Sequence, residues 1–316
     1  MNLQQLDYII AVDNHRHFAT AAGKCFVTQP TLSMMIQKLE QELDIKIFDR
    51  SKQPVVPTEA GAVVIAQAKI ILQEARRIKE VIQEMKGDLK GELKGEIKIG
   101  IIPTVAPYLL PVFLSGFLKK YPLLKIKIAE LNTEQIIEKL KRHQLDAGIL
   151  ATPLNNVSIK EFPLYYEQFV VYASKEEKLM KKKFLSPADI DTNHLWLLEE
   201  GHCLRAQVLN LCELRKKELE TSNLEYEAGS IETLKKMVDM NKGITILPEL
   251  AIKELTKAEQ KQVRHFKQPA PVREISIVTY HHFVKQRIID ALKEEIIHAV
   301  PAEMLSMKRK QVTEVG

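Results

Sequence analysis

Residues 28–43 read TQPTLSMMIQKLEQEL, and this stretch decides the fold of the first part of the chain. Thr28 is a good helix N-cap, and proline is well tolerated in the first turn that follows it. Apolar residues then recur at a helical spacing of four, three and four, at Leu32, Ile36, Leu39 and Leu43. The sequence therefore predicts a helix with one buried face and one polar face.

Shorter helical patterns precede this helix, and strand patterns follow it. Apolar residues between positions 3 and 10 form one face of a first helix, and residues 18–22 begin a second. Residues 45–50 and 54–57 then predict two short strands around a turn. This order indicates a helix-turn-helix module at the start of the chain.

Charge alone does not indicate a nucleic-acid partner. The net charge of the chain is +5, but residues 1–60 carry six Lys or Arg side chains against seven Asp or Glu. A nearly neutral module of this size is expected to bind DNA weakly as a monomer. The case for DNA binding therefore depends on motif geometry and on dimerisation.

A long amphipathic helix is predicted from its N-cap, Thr58, to residue 90. Apolar residues repeat there at four-three spacing, which is typical of a coiled coil and predicts a dimerisation stripe of Val64, Ala68, Ile71, Ala75, Ile78, Ile82, Met85 and Leu89. The alternative is a helix that lies along its own domain. Three glycines, Gly87, Gly91 and Gly95, end the pattern and predict a hinge at residues 91–96.

Strand and helix patterns alternate in the rest of the chain. The strand candidates are residues 97–102, 124–131, 146–150, 169–174, 244–248 and 274–280, with helical patterns such as 133–143 and 230–241 between them. This alternation predicts an α/β domain with parallel pairings. Together, the three zones indicate a transcription factor that is controlled by a ligand or another signal.

The length and composition of the chain limit the cellular compartment and the class of protein that it can belong to. The 316 residues suffice for two or three domains, and no apolar run approaches the roughly 18 residues of a membrane helix. The N-terminal residues lack the basic and apolar blocks of a signal peptide, which argues against a periplasmic binding protein. We therefore expect a cytoplasmic protein, in a compartment where disulfides are more often transient than structural.

Two of the three cysteines lie nine positions apart, in the segment GHCLRAQVLNLC at residues 201–212. Cys203 is flanked by His202 and Arg205, which can hold a thiolate at neutral pH. Cys212 has apolar neighbours that favour burial. This asymmetry indicates a redox pair rather than a structural disulfide.

The spacing sets a geometric condition on a bond between Cys203 and Cys212. In one regular helix, the rise would separate their Cα atoms by about 13.5 Å, and the turn would place them on opposite faces. A disulfide needs Cα atoms within roughly 7 Å of each other. Either the segment is not one helix, or it unwinds when the bond forms.

Other interpretations of the cysteines are weaker. Cys25 lies in the second short helical pattern and is predicted to be a core residue. A zinc site formed by His194, His202, Cys203 and Cys212 is the rival for the pair, but their spacing does not resemble a Cys-x-x-Cys knuckle. We therefore predict no metal and no cofactor.

The order of motifs over nearly the whole chain resembles the LysR family of bacterial transcriptional regulators. In the N-terminal module, the resemblance is carried by Ala21-Ala22, Gln29-Pro30-Thr31-Leu32-Ser33, Ile36, Leu39-Glu40, Leu43, Phe48, Arg50 and Thr58-Glu59-Ala60-Gly61. Residues 15–18, 102–105, 107–111 and 201–212 are similar to the peroxide-sensing members of that family.

This resemblance implies an architecture of a winged helix-turn-helix at 1–57, a linker and dimerisation helix at 58–90, the hinge at 91–96 and a regulatory domain at 97–301. The regulatory domain would resemble a periplasmic binding protein, with subdomain I at 97–167 and 271–301 and subdomain II at 168–270. Two crossover strands are expected near residues 165–169 and 269–273, and residues 302–316 remain as a tail.

The resemblance also implies that the third helix enters the major groove of DNA and that the wing touches the backbone. The candidate contacts are Gln29, Pro30, Thr31, Ser33, Met34, Gln37, Lys38, Arg50 and Lys52. The alternative for the helical ones is an ordinary solvated face. Two residues depart from the family pattern: Asp44 replaces a glycine, and Gln37 replaces a common basic residue. Asp tolerates the left-handed conformation, so the turn is expected to survive.

For the redox pair, the resemblance implies that hydrogen peroxide oxidises Cys203 and that Cys212 resolves the product to a reversible disulfide. The supporting residues would be His202, Arg205, Thr104, Thr133 and Arg273. Each switching event would consume one molecule of peroxide, which is the stoichiometry of a sensor. We therefore expect that the protein is not an enzyme. The implied partners are double-stranded promoter DNA, RNA polymerase, further copies of the chain in a homodimer or homotetramer, and a cytosolic thiol reductant.

Two other functions are kept as alternatives. A LysR-type regulator could bind a small organic effector between its subdomains. A thiol peroxidase would turn over many times with a reductant, but it gives no reason for residues 1–57 or for the coiled coil.

Overall fold

The computed structural model describes residues 1–87, 93–191, 194–212, 228–281, 285–307 and 310–313, without the side chains of residues 73, 76, 77, 79–81, 83–87 and 310. The predicted stripe residue Leu89, the side chain of Met85 and hinge residues 91–92 lie outside this description. Contacts divide the chain into two compact units, Met1–Lys90 and Gly91–Gly316. No helix in the described ranges combines the length and apolarity that a membrane span needs.

Three helices and a small wing form the first unit, with a long fourth helix after them. The elements are α1 Leu3–His15, α2 Phe18–Lys24, α3 Gln29–Glu42, β1 Phe48–Asp49, β2 Val56–Pro57 and α4 Glu59–Gly87. The two wing strands are antiparallel, with Phe48 opposite Pro57. This arrangement is the predicted helix-turn-helix, and its core joins all four helices and the wing.

The helix α3 has the predicted capping and the predicted buried face. The Thr28 side chain accepts a hydrogen bond from the Thr31 backbone N–H, and Leu32, Ile36 and Leu39 are fully buried. Leu43 is exposed instead, because the helix ends at Glu42 and Leu43 is its cap. The next residue, Asp44, has φ of 52°, which confirms the predicted left-handed turn.

The start of α4 is held tightly against the segment before the wing. The Thr58 hydroxyl accepts a hydrogen bond from the Gly61 N–H at 2.9 Å and donates one to the Lys46 carbonyl. A Cβ atom on Gly61 would lie 1.9 Å from the carbonyl oxygen of Ile47. Glycine is therefore required at this contact, which accounts for the end of the Thr-Glu-Ala-Gly motif.

The long helix α4 packs on its own unit along its first half. In its first half, Ile65, Ala68 and Leu72 are buried in the core of the first unit. Further along, Ile78 and Ile82 of the predicted stripe are exposed in the single chain. The first half of α4 thus lies along its own domain, and the stripe continues as an uncovered apolar surface.

A nine-stranded sheet organises the second unit. Its strands are β3 Gly95–Ile101, β4 Leu124–Glu130, β5 Ala147–Thr152, β6 Ile159–Ala173, β7 Phe184–Leu185, β8 Ile244–Pro248, β9 Val263–Phe266, β10 Ala270–Tyr280 and β11 Lys310–Val312. The order is β4-β3-β5-β10-β6-β9-β7, with β8 paired to β6 and β11 to β10. The strand β3 pairs in parallel with β4 and with β5, as predicted. The strand β10, however, pairs antiparallel with β5 and with β6. The sheet is therefore mixed.

The strand β6 belongs to both halves of this sheet. It pairs with β10 up to Gln168 and with β8 from Phe169 onwards. The change of partner falls inside the range expected for the first crossover. The strand is much longer than the predicted 169–174, because its first ten residues gain a partner in β10.

Helices cover the sheet and position the cysteines. They are α5 Ala106–Lys120, α6 Thr133–Lys141, α7 Cys203–Leu211, α8 Ile231–Asn241, α9 Lys257–Gln260 and α10 Gln286–Ala299. The segment expected as a tail differs from that expectation: residues Ala302–Leu305 form a 3-10 turn, and β11 pairs in parallel with the first residues of β10.

Candidate functional site

Cys203 is buried at the first residue of α7, where two helix N-termini meet. Gly201, at φ of 89°, brings the chain into α7 beside Asn132, the N-cap of α6. The end of β5 contributes a backbone hydrogen bond from Ala151 to the sulfur, and Leu204 contributes another. The thiol is thus enclosed by segments that are far apart in sequence.

A fully buried ion pair lies beside this pocket. The Arg273 Nε donates to Glu167 Oε2 at 2.9 Å, and its Nη2 lies 2.8 Å from the same oxygen. The same guanidinium also holds Thr104: its Nη1 donates to Thr104 Oγ1 at 2.9 Å, and its Nη2 donates to the Thr104 carbonyl oxygen at 3.0 Å. The second oxygen of Glu167 accepts the Leu250 N–H at 2.8 Å. Each strand, β6 and β10, therefore supplies one charge, and Thr104 is fixed against the cation.

Burial is the largest influence on the Cys203 thiol, and it raises the pKa. The positive charge of Arg273, the Thr133 hydroxyl and the two backbone hydrogen bonds act in the opposite direction, but the net pKa remains raised. Arg273, Thr133 and the two backbone hydrogen bonds are the groups that would stabilise a thiolate at this position.

The two flanking residues that the sequence singled out have other contacts. The Arg205 Nη1 donates to the Leu198 carbonyl at 2.7 Å. His202 Nε2 lies 3.5 Å from a carboxylate oxygen of Glu199. Both side chains hold the segment that leads into α7, and Arg273 is the charge that acts on the sulfur.

Cys212 lies at the opposite end of α7, as its C-cap. It is partly buried against the core, and burial raises its pKa to about 11. All three cysteines are free thiols. Because Cys203–Leu211 is one helix, its rise separates the two Cα atoms by about 13.5 Å, and no disulfide can form in this conformation.

Thr133, at the first position of α6, has a buried hydroxyl that makes no hydrogen bond of good geometry. Its influence on the Cys203 pKa places it beside the sulfur. Within the described residues, no cluster of three or more His, Cys, Asp or Glu is arranged to hold a metal ion.

The predicted DNA-contacting residues form an exposed surface on α3 and the wing. Gln29, Pro30, Thr31, Met34, Gln37, Lys38, Arg50 and Lys52 are exposed, and Ser33 is half-buried. Arg50 also braces the module: it donates to Ser33 at 3.0 Å, pairs with the buried Glu40 at 3.0 Å and covers the Phe18 ring. The wing is thereby attached to α3.

The profile of the bacterial regulatory helix-turn-helix protein, lysR family, matches residues 3–62, and that of the LysR substrate binding domain matches residues 90–300. The chain belongs to the LysR family. It is a DNA-binding transcriptional regulator and not an enzyme.

Relatives of this LysR regulator include proteins named for peroxide. The hydrogen peroxide-inducible genes activator of Haemophilus influenzae is 35% identical over 284 residues, covering 88% of this chain and 90% of the relative. The DNA-binding transcriptional dual regulator OxyR of Escherichia coli is 35% identical over 278 residues, covering 88% and 89%. A full-length OxyR variant from Pseudomonas aeruginosa has a similar structure, with a TM-score of 0.71 and 33% identity over 95% of this chain and 99% of that one.

Two features of the LysR regulator were not found by sequence reasoning. Glu167 lies directly opposite Arg273 in the ladder of β6 and β10. Arg273 lies within the mostly apolar run of β10, and a cation in such a run was the signal that could have pointed to a buried partner of opposite charge. Phe26, in the turn before α3, has φ of 57° and is 95% exposed. An exposed aromatic side chain has no sequence signature of its own.

Proposed function

We propose that this LysR regulator senses hydrogen peroxide through Cys203 and controls transcription through a reversible disulfide with Cys212. The observation that carries the proposal is the surroundings of Cys203, in which a buried cation, the Thr133 hydroxyl and backbone donors converge on one sulfur. The peroxide-inducible activators among its relatives support the same function.

The first chemical step requires the thiolate of Cys203. The thiol must first lose its proton. Burial makes this ionisation less favourable, and Arg273 and Thr133 make it more favourable. The sulfur then attacks one oxygen of hydrogen peroxide, the O–O bond breaks, and sulfenic acid and hydroxide are formed. Thr104 and Arg273 are fixed beside this position, so they need little reorganisation to stabilise the leaving oxygen.

The second step couples the chemistry to structure. The Cys212 thiol attacks the sulfur of the sulfenic acid, the S–O bond breaks, and a disulfide and water are formed. Because α7 holds the two cysteines apart, the helix must unwind before this bond can form. Two equivalents of a cytosolic thiol would reverse the step.

The output is promoter binding by a dimer or a tetramer. The exposed part of the α4 stripe, around Ile78 and Ile82, suits pairing with a second copy. A pair of recognition helices would then read two half-sites related by two-fold symmetry. Unwinding of α7 would alter how copies pack in this cytoplasmic activator, and with it the contact to RNA polymerase.

The test combines chemistry and binding on the same protein. Non-reducing peptide mapping after one equivalent of hydrogen peroxide should show a Cys203–Cys212 bond, and the promoter footprint should change. Cys212→Ser should stop at sulfenic or more highly oxidised Cys203, whereas Cys25→Ser, the matched control, should behave like the parent. An unchanged footprint, or a regulator with Cys203→Ser that still responds normally, would contradict the proposal and favour an organic effector.

A further inference from the structure

The central residue of α7 is attached to the C-terminal strand. Gln207 is fully buried, and its Nε2 donates to the carbonyl of Thr313 at 3.0 Å. Thr313 in turn donates its N–H to the Val272 carbonyl at 2.8 Å. The side chain thus joins the helix between the two cysteines to the segment that follows β11.

The strand β11 is itself attached next to the redox pocket. Lys310, Gln311 and Val312 pair with Ala270, Pro271 and Val272, the three residues that precede Arg273. One short segment therefore contacts both α7 and the strand that carries the buried cation.

The position of Gln207 makes this attachment specific to the helical form of α7. It lies four residues after Cys203, on the same face of the helix. Its Oε1 is buried and has no hydrogen-bond partner among the described residues, so the amide depends on the single bond to Thr313. When α7 unwinds, Gln207 must leave this position and the bond is lost.

We propose that β11 and Gln207 stabilise the reduced form of α7 and so set how readily the Cys203–Cys212 disulfide forms. This inference rests on the proposed disulfide switch. A contact made in one conformation and lost in the other shifts the equilibrium towards the first by the free energy of that contact. Gln207 is a positioning residue, because it acts through the helix and not on the peroxide.

The experiment measures the exchange with a glutathione buffer, in which one protein disulfide and two glutathione thiols give two protein thiols and one glutathione disulfide. Gln207→Met should increase the ratio of disulfide to dithiol about five-fold, the factor expected for one neutral hydrogen bond. A chain that ends after Met307 should increase the ratio at least as much. Combining the two changes should add nothing beyond the truncation, because both remove the same contact.

A second measurement does not require oxidation. Amide hydrogen exchange in α7 of the reduced protein should be faster in Gln207→Met and in the truncated chain than in the parent. The control is Gln260→Met, which removes a comparable bond from Nε2 to the Leu255 carbonyl elsewhere. It should leave both the exchange rates in α7 and the disulfide ratio unchanged.

The outcomes separate the two proposals. If the parent forms the disulfide but neither variant changes its ratio or the exchange in α7, the role of β11 is refuted and the switch stands. If effects of Gln207→Met and the truncation add independently, the link between them is refuted. If the parent forms no disulfide at all, both proposals fail.

Discussion

Arg273 and Glu167 face each other across two adjacent strands and form an ion pair that solvent does not reach, with Nη2 and Oε2 2.8 Å apart. The pair lies where β6 changes partners, and it fixes Thr104 on a third segment. An ion pair at this depth is stable only while both members are there, because either charge alone would be desolvated without compensation.

The first prediction follows from that dependence. Glu167→Gln leaves Arg273 buried without its counter-charge, and the free energy of unfolding should fall by about 3–5 kcal/mol. Urea denaturation of the reduced protein measures the loss. The matched control is Glu138→Gln, which removes an exposed pair with Arg142 and should cost less than about 1 kcal/mol. Equal losses in both variants would contradict the assigned role of the buried pair.

The second prediction concerns the Thr133 hydroxyl, which lies beside the Cys203 sulfur. Thr133→Val keeps the shape of the side chain but removes the group that lowers the pKa of Cys203. Oxidation by peroxide at pH 7 should slow about three-fold, on the order of one weak hydrogen bond, while stability stays close to that of the parent. Stopped-flow oxidation and a thermal melt check the two parts. The role of the hydroxyl is contradicted if Thr133→Val and the parent are oxidised at the same rate at every pH from 6 to 9.

The third prediction is a pH dependence caused by Cys212. Burial raises its pKa from an ordinary 9.0 to about 11, so the folded state binds this proton more tightly than the unfolded state. The resulting stability is complete below about pH 9 and is lost as the pH rises to about 11. Cys212→Ala should therefore flatten the fall in unfolding free energy between these two pH values. Identical slopes in variant and parent would show that the thiol is not the cause.

The fourth prediction uses two exposed apolar residues of α4. Ile78 belongs to the predicted stripe and Val63 does not, although both are 62% exposed in the single chain. Ile78→Asp should yield monomers and weaken promoter binding, because a buried charge disrupts a coiled-coil seam. Val63→Asp should leave both unchanged. Sedimentation velocity and a footprint distinguish these outcomes, and a stable dimer of Ile78→Asp would rule out the stripe.

The fifth prediction compares two glycines of the first unit. Gly61→Ala places a methyl group where the Ile47 carbonyl now lies. This change should lower the free energy of unfolding of the unit by about 1–3 kcal/mol. Gly23→Ala in α2 meets nothing within 4 Å and should stabilise that helix by up to about 1 kcal/mol. Opposite shifts in the melting temperature are expected. Shifts of the same sign would contradict the close approach of α4 to Ile47.

Local sequence signals predicted the first unit well, because its helices depend on caps and periodic apolar residues. Thr28, Asp44 and Thr58 perform the predicted tasks. Leu43 did not follow its pattern, since the helix ended one residue earlier. These features are decided within a few residues of chain, and sequence spacing records them directly.

The surroundings of Cys203 were predicted less completely, because the residues around its sulfur meet only through the sheet. His202 and Arg205 were placed near the sulfur by sequence proximity, whereas Arg273, seventy positions after Cys203, was named only through the family resemblance, and its charge acts on the thiol. Glu167 depends on the register between β6 and β10, and β11 on a pairing of only three residues. Neither the register between β6 and β10 nor a strand as short as β11 produces a periodic pattern in the sequence.

The continuity of β6 through both halves of the sheet determines how those halves can move. The backbone bonds of this strand join β10 on one side of Gln168 and β8 on the other. Sliding would break many rungs of the ladder at once and would turn side chains to the wrong face. The continuity of this one strand therefore opposes any sliding of one half of the sheet past the other.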